Sequence, residues 1–493
     1  MDNLNSFILF VDGYFGSAPW FPLLLLSIGV FFTLYLGFPQ LRFFSKGWKI
    51  LFSSGKNNEG QTSPFQALST ALSGTVGTGN IGGVAMAIFI GGPAALFWMW
   101  ITAFLGMTTK FVEVSLSHHY RLKNKSGEVF GGPMIYMERG LNMKWLGAVF
   151  AFCLLVSTFG SGNMPQIDNI SSTIESSFGL NPLYTSLVMS ILVGSVIIGG
   201  IKRISLIAAS IVPLMAFIYL VGGLSVLIYN YENIIPSFSL IVLDVFKGSS
   251  VVGGFLGASF SLAFTYGVAR GLYSNEAGQG SSVHAAAAAE VDHPAQQGLV
   301  QAFSVYIDTL FVCSATAFMI LITGAYNVHG EGSQFIIQNI APTIDANSPA
   351  FTQYAMENTI PGLGAPFVAV ALFFFAFTTI LAYYYQAETN IAYLRRTYKF
   401  PGDMLILKIV MLASVFYGSV KTAQVAWGLG DIGIGILTWL NVISILVIFF
   451  MSNPAVKALK DYEEQKRKKV NVFRFDPVSL DIKNAYFWED RNK

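Results

Sequence analysis

The chain has 493 residues, of which 53% are hydrophobic and 11% charged, and its formal net charge is +2. A soluble domain carries roughly 25% charged residues, so this composition excludes a soluble globular protein and describes a polytopic membrane protein. The small positive balance does not point to nucleic acid, because the basic residues are confined to short loops and one tail.

The N-terminus has no positive leader: Asp2 and Asp12 precede the first apolar stretch and the first basic residue is Arg42, which argues against a signal peptide. Apolar segments of about 20 residues, the length that crosses a bilayer, fall near 19–41, 65–91, 93–116, 145–173, 183–200, 204–229, 251–274, 296–324, 362–386, 404–420 and 427–451. With residue 1 outside, the inner loops hold Arg42, Lys46, Lys49 and Lys56, then Arg121, Lys123, Lys125, Arg139 and Lys144, then Lys202 and Arg203, then Arg395, Arg396 and Lys399, and finally the tail KALKDYEEQKRKKV. The outer loop from Thr323 to Gly364 carries Glu331, Asp345 and Glu357 and no Lys or Arg. Every strongly basic loop thus lies on one side, as the positive-inside rule requires. An odd number of spans is expected, with the N-terminus outside and the C-terminus cytoplasmic in the plasma membrane. Cys153 and Cys313 lie mid-segment without a CxxC or Cys/His pattern and read as packing residues.

Two spans are interrupted. In the first, STALSGTVGTGNIGGVAMAIFIGG, Gly74, Gly77, Gly79, Gly82 and Gly83 break an apolar run that also holds Thr75, Thr78 and Asn80. Glycine costs a helix about 1 kcal/mol relative to alanine, and irregular backbone at membrane depth survives only when buried in protein or lining a cavity. The second runs from Gly253 through GVARGLYSNEAGQGSS, with Gly257, Gly267, Gly271, Gly278 and Gly280 and the polar Thr265, Ser274 and Asn275. If the leading span is set aside, these two begin successive five-helix halves. Because five is odd, the halves are inverted, and paired broken helices of this kind point to the central site of a secondary transporter. The expected organisation is an all-α protein of about 11 transmembrane helices. Residues 1–64 form an extracellular N-terminus, an extra helix and a basic inner loop; 65–229 and 230–451 form the two repeats; 452–493 form a cytoplasmic basic tail.

The motifs TVGTGNIGGVAMAI, GGPMIYMERGL, GNMPQ, GVARGLYSNEAGQGSS, FFAFTTILAYYY and IKNAYFWED together resemble the sodium:alanine (alanine or glycine:cation) symporter family, over nearly the whole chain. The resemblance implies a leucine-transporter-like architecture of two inverted five-helix repeats, here preceded by one helix. It implies sodium-coupled symport of a small neutral amino acid into the cell by alternating access, with sodium as the coupling ion and no organic cofactor.

A zwitterion at the bilayer centre needs both charges satisfied. The half-helix after a break offers N–H groups to a carboxylate, and the half before it offers carbonyls to cations. Thr78, Gly79 and Asn80 are therefore expected to serve the carboxylate as amide donors, with Asn80 alternatively bonding a neighbouring helix. Opposite them, carbonyls near Gly267 and Gly271, the Asn275 amide and Gln166 are expected to line the substrate, and Phe377, with Phe373 and Phe374, to wall its side chain. Sodium prefers oxygen ligands. The hydroxyls of Thr378 and Thr379, with carbonyls of Ser73, Val76 and Phe375, would make a five-oxygen cage where the family pattern places a sodium site, between the first and eighth core helices.

A proton-coupled symporter of the same fold is the alternative, and it would need a titrating intramembrane carboxylate. Asp168, Asp308 and Asp431 lie within or near spans, and Glu113, Glu276 and Glu388 near inner ends. Glu113, three residues after Lys110, reads as its ion-pair partner. For Asp308 three roles stay open: a helix–helix hydrogen bond, a cation counter-charge, or a proton relay. Arg270 can pair with Glu276 or contact a carboxylate directly. His284, Glu290, Asp292 and His293 match no established metal-ligand spacing, and the segment reads as an inner loop or gate. The tail YEEQKRKK reads as a solvated face that touches anionic lipid. A channel is a distant reading, since filters arise from symmetric rings of loops. No HExxH, GxSxG or paired intramembrane Asp motif suggests an enzyme. The expected partners are the amino acid, sodium and the bilayer, with no nucleic acid, and the chain is expected to act as a monomer.

Overall fold

In the computed structural model the chain is almost entirely helical. The structure describes residues 20–52, 61–124, 127–247, 256–330, 334–344, 349–401, 403–419 and 424–491. Asp2, Asp12, Lys56, Lys125, Gly253, Glu331, Asp345 and the side chains of Gly257 and Asp431 lie outside the described positions.

The main helices are α1 (Trp20–Tyr35), α2 (Pro64–Thr75), α3 (Gly82–Gly91), α4 (Ala94–His119), α5 (Lys144–Phe178), α6 (Pro182–Ile197), α7 (Gly200–Tyr229), α8 (Leu256–Asn275), α9 (Pro294–Ile322), α10 (Gly364–Tyr398), α11 (Met404–Gly418) and α12 (Gln424–Ser452). By length and composition, α4, α5, α7, α9, α10 and residues Ile432–Ser452 of α12 can each cross a membrane, and the bent pair α2 with Thr78–Gly91 makes a seventh. Helices α1, α6 and α11 are apolar but shorter. Each apolar segment read from the sequence therefore meets a helix. Helix α8 carries the polar residues Thr265, Arg270, Ser274 and Asn275.

The first break is built from local chemistry. Helix α2 starts on a capping box: Gln66 N–H donates to Ser63 Oγ (3.2 Å) and Ser63 N–H to Gln66 Oε1 (2.8 Å), with Pro64 in the first turn. It stops where Val76 becomes extended (φ −82°, ψ 91°), and the axis turns by 64° before α3. Between them Thr78–Asn80 form one 3-10 turn.

The second break differs from the sequence expectation. Helix α8 runs uninterrupted through Gly267 and Gly271, and the chain leaves it only after Asn275. A Cβ at Gly267 would stand 2.5 Å from the Ala95 carbonyl oxygen and one at Gly271 3.3 Å from Met99 Cα. Those glycines let α8 pack closely on α4, a small-residue contact, and their carbonyls stay within the helix. The break itself is at Glu276 (φ 54°), Gly278 (φ 88°) and Gly280 (φ 77°), all in the left-handed region. Two π-helical turns, Thr158–Asn163 in α5 and Tyr306–Cys313 in α9, lie on helices facing the breaks. Before α10, Glu357 accepts from the N–H groups of Ala365 (2.9 Å) and Gly362, which holds its carboxyl below the usual range and fixes the turn into that helix.

The tail is more than a solvated face. Helix α13 (Pro454–Arg467) buries Val456, Leu459 and Tyr462 and exposes its charged side. The chain then folds back to α14 (Tyr486–Arg491), whose Trp488 is buried and donates its indole N–H to His118 O (2.9 Å). The buried Arg121 guanidinium lies 4.0 Å from the Phe487 ring centroid and 4.6 Å from that of Trp488. Asp461 pairs with His293 (3.1 Å) and Arg491 with Asp292 (3.5 Å). These contacts bind the tail to the 287–293 loop, which in turn pairs with Thr62 just before α2. Trp488→Ala is expected to remove about 3–5 kcal/mol of buried aromatic packing and to free the tail. The check is proteolysis after α13, which should become fast in the variant while the membrane-embedded core stays intact.

Candidate substrate and ion site

Breaking α2 releases backbone groups at one point. In a continuous helix the Gly77 N–H would close on Ser73 and the Thr78 N–H on Gly74. Instead Gly77 N–H donates to Asn80 Oδ1 (2.8 Å) and Thr78 N–H to Gln166 Oε1 (3.1 Å). The carbonyls of Ser73 and Gly74 are thereby left without their usual helical donors. The Ser73 hydroxyl itself bonds back to Thr70 O (2.7 Å).

Helix α10 supplies the other wall. Thr379 Oγ1 donates to Val76 O (3.3 Å) and to Phe375 O (2.9 Å), and Thr378 Oγ1 to Phe375 O (3.0 Å) and Phe374 O (3.1 Å). Three of the five expected cage groups, Val76, Phe375 and Thr379, therefore meet in one buried cluster, while Thr378 Oγ1 bonds back to its own helix and lies 3.6 Å from Met215 Sδ. All three are oxygen donors, which suits a hard monovalent cation. The space is tight: a Cβ on Gly77 would lie 2.7 Å from Thr379 Oγ1 and 3.1 Å from Gln166 Oε1.

On the substrate side, the structure brings Thr78, Gly79 and Gln166 together. Gly79 is half-buried, and its Cβ position would contact Tyr273 at 3.5 Å. The Gln166 amide oxygen joins α5 to the broken end of α2 through the Thr78 N–H. Asn80, however, is turned into the protein. Its Nδ2 donates to Asp308 Oδ1 (2.6 Å) and Ser274 Oγ (3.0 Å) and lies 3.2 Å from Cys313 Sγ, and its main-chain N–H returns to Gly77 O. Its side chain is thus a structural bond between the breaks, the second of the two sequence readings. Asn275 is likewise committed: Nδ2 donates to Thr309 Oγ1 (3.2 Å) and Oδ1 accepts from Ala277 N–H (3.0 Å), closing the end of α8. Gly267 lies in the α8–α4 packing, away from this cluster. Phe377 is buried, but two residues from Thr379 it lies on another side of α10.

Asp308 sits in the π turn of α9, fully buried, accepting from Asn80, from Ser274 Oγ (2.8 Å) and from Thr309 Oγ1 (2.7 Å). Lys110 and Glu113 form the expected ion pair (3.3 Å), both buried. Arg270 does not reach Glu276: its Nη2 lies 3.1 Å from Met86 Sδ and its guanidinium 5.7 Å from the Tyr273 ring centroid. The residues that sequence reasoning passed over are Thr309, Thr316 and Tyr383. Thr316 Oγ1 donates to Asn80 O (2.7 Å). Only the polarity of such side chains inside apolar runs signals them.

A broken apolar helix meeting hydroxyls from a long neighbouring span defines the class as a membrane transporter, and the overall fold agrees. The chain superimposes on a Na+-coupled sialic acid symporter with a TM-score of 0.50 at 11% identity, covering 98% of this chain and 96% of that one. Residues 1–476 match the model of the sodium:alanine symporter family, and the chain belongs to that family. It is 50% identical over 466 residues to a putative sodium/proton-dependent alanine carrier protein of Bacillus subtilis, covering 94% of each chain. It is 36% identical to a sodium/alanine symporter of Methanococcus maripaludis (95% of this chain, 98% of the other) and 38% identical to a probable sodium/glutamine symporter of Bacillus subtilis (90% and 88%). The protein is a multi-pass membrane transporter of cation-coupled amino acid type, and it is not an enzyme.

Proposed function

We propose that this protein carries a small neutral amino acid, alanine or glycine, into the cell together with sodium. The observation that carries the reading is the cluster in which the broken α2 end, Gln166 and Thr379 converge. The same unwound backbone can serve the ion with carbonyls and the substrate with N–H groups, so each ligand orders part of the other's site. Sodium is held by Val76 O, Ser73 O, Phe375 O and the Thr378 and Thr379 hydroxyls. The carboxylate displaces Gln166 from the Thr78 N–H and bonds the 78–80 turn, where Gly79 admits close approach. Eleven crossings, with α2–α7 and α8–α12 as inverted halves, an outer N-terminus and a cytoplasmic C-terminus, support alternating access at this point. The relatives named for sodium-dependent alanine transport agree with the substrate and the ion.

The direct test is alanine binding to purified protein with and without sodium. Full-affinity binding in sodium-free medium would overturn the coupling. Thr379→Ala removes one ligand of the cage and is expected to raise the sodium concentration for half-maximal uptake about tenfold, equivalent to ~1.4 kcal/mol. An unchanged sodium dependence would reject the assignment. Proton coupling is the second reading. It is favoured by Asp308, a buried carboxylate held only by neutral donors, and by relatives named as sodium/proton-dependent.

A further inference from the structure

Glu276 stands where the two breaks meet α10. It is buried, it is the first residue beyond α8, and it adopts φ 54°, a left-handed conformation that glutamate seldom takes. Strain of this kind persists where surrounding structure enforces it, and it gathers at functional sites. Its Oε1 accepts from Tyr383 OH on α10 (3.1 Å) and its Oε2 from Ser281 Oγ (2.6 Å). Oε1 also lies 4.0 Å from the position a Cβ would take on Gly74 of α2. The carboxylate is therefore packed against both broken helices, one turn along α10 from Thr379.

Its surroundings are short of positive charge. Helix α4 presents Lys110 and Glu113. The lysine pairs with the Glu113 carboxylate (3.3 Å) and meets Glu276 through the main-chain carbonyl (3.1 Å) and Ser282 Oγ (2.5 Å). From α10 comes Tyr383, and from α9 comes Asp308, joined through Ser274 Oγ (2.8 Å) to the last turn of α8. Tyr273 lies in the last turn of α8, and Arg270 of α8 points away to Met86. His284, from the short helix Val283–Ala287, is held between Ser281 O and the Asn390 side-chain amide, which leaves it neutral. Among the described residues, one buried ammonium thus serves two buried carboxylates. A buried charge without a partner is very costly, and the smallest cation that removes it is a proton. Hydroxyls on both carboxylate oxygens can reverse their O–H bonds to accept from the acid, so the site takes a proton without rearranging. Among the described residues, no three histidine, cysteine or carboxylate groups come together as a metal cage.

We propose that Glu276 is a proton-binding site of the transport cycle. The carboxylate takes a proton from water when the site is open to one side, holds it while buried as it is in this structure, and returns it to water when the half-helices part toward the other side. This rests on the symport reading above and adds a proton to each sodium and amino acid carried. The test uses full-length protein in proteoliposomes containing a pH-sensitive dye, with alanine uptake driven by sodium. The wild type should acidify the lumen in step with alanine entry. Glu276→Gln, a permanent mimic of the protonated acid, should retain alanine exchange and move no protons. Should that variant fail to fold, Tyr383→Phe decides: losing a donor to the carboxylate favours the acid, so the pH dependence of uptake should move to higher pH. Alanine entry without acidification in the wild type, proton movement by Glu276→Gln, or an unmoved profile in Tyr383→Phe would each overturn the proposal. Absence of any sodium-driven uptake by the wild type would instead overturn the symport reading.

Discussion

Alanine at position 77 is expected to reduce sodium-driven uptake about 100-fold, the scale on which a displacement near 1 Å acts at a positioned site. The backbone there (φ −143°, ψ −150°) is extended, which alanine adopts without strain, so the effect is steric. The added methyl would meet Thr379 Oγ1 at 2.7 Å and Gln166 Oε1 at 3.1 Å. Either the α2 end moves away from α10 or both polar groups turn aside, and overpacking of this kind costs about 1–3 kcal/mol. The proposed ion cage and the proposed carboxylate position are lost together. Gly83→Ala is the control, because a Cβ there meets nothing within 4 Å. It should transport like the wild type, so a glycine run that merely needed flexibility would be exposed by equal damage from both substitutions.

Asn80→Ala is expected to abolish transport and to destabilise the protein by about 2–4 kcal/mol, the scale for leaving buried polar and charged partners unsatisfied. The amide links Gly77 N–H on one side to Asp308 and Ser274 on the other, so it joins the first break to α8 and α9. Its removal leaves the fully buried Asp308 with only the hydroxyls of Ser274 and Thr309. If the charge left behind is the larger part of the damage, Asp308→Asn in the same background should recover part of the thermal stability, a coupling expected of residues in direct contact. Equal losses from the two single substitutions, adding without recovery, would show that the bond is unimportant.

Much of this site can be read from residue types, and the failures have physical causes. The TVGTGN break is legible because glycines and polar side chains accumulate where an apolar helix should continue. Thr378 and Thr379 stand out as paired hydroxyls in FFFAFTTIL, and the structure brings Thr379 to Val76 while Thr378 bonds back to its own helix. The second interrupted segment is read too broadly, because Gly267 and Gly271 look the same in sequence as Gly278 and Gly280 of the break, although they serve close packing on α4. The left-handed Glu276 that marks the real break carries no compositional signal. Asn80 and Asn275 are correctly singled out as buried amides, but composition cannot say whether a buried amide faces a ligand or the protein. The tail is underestimated because α13 is strongly charged, while the residue that docks it, Trp488, lies more than 20 positions beyond that charge run.

The central claim is that sodium and a small neutral amino acid move together through the convergence of α2, Gln166 and α10. Uptake of labelled alanine into proteoliposomes tests it most directly, with an imposed inward sodium gradient in one arm and an imposed proton gradient without sodium in the other. Accumulation above the outside concentration in the sodium arm, and none in the sodium-free arm, is the predicted result. Accumulation driven by protons alone, with no response to sodium, would contradict it.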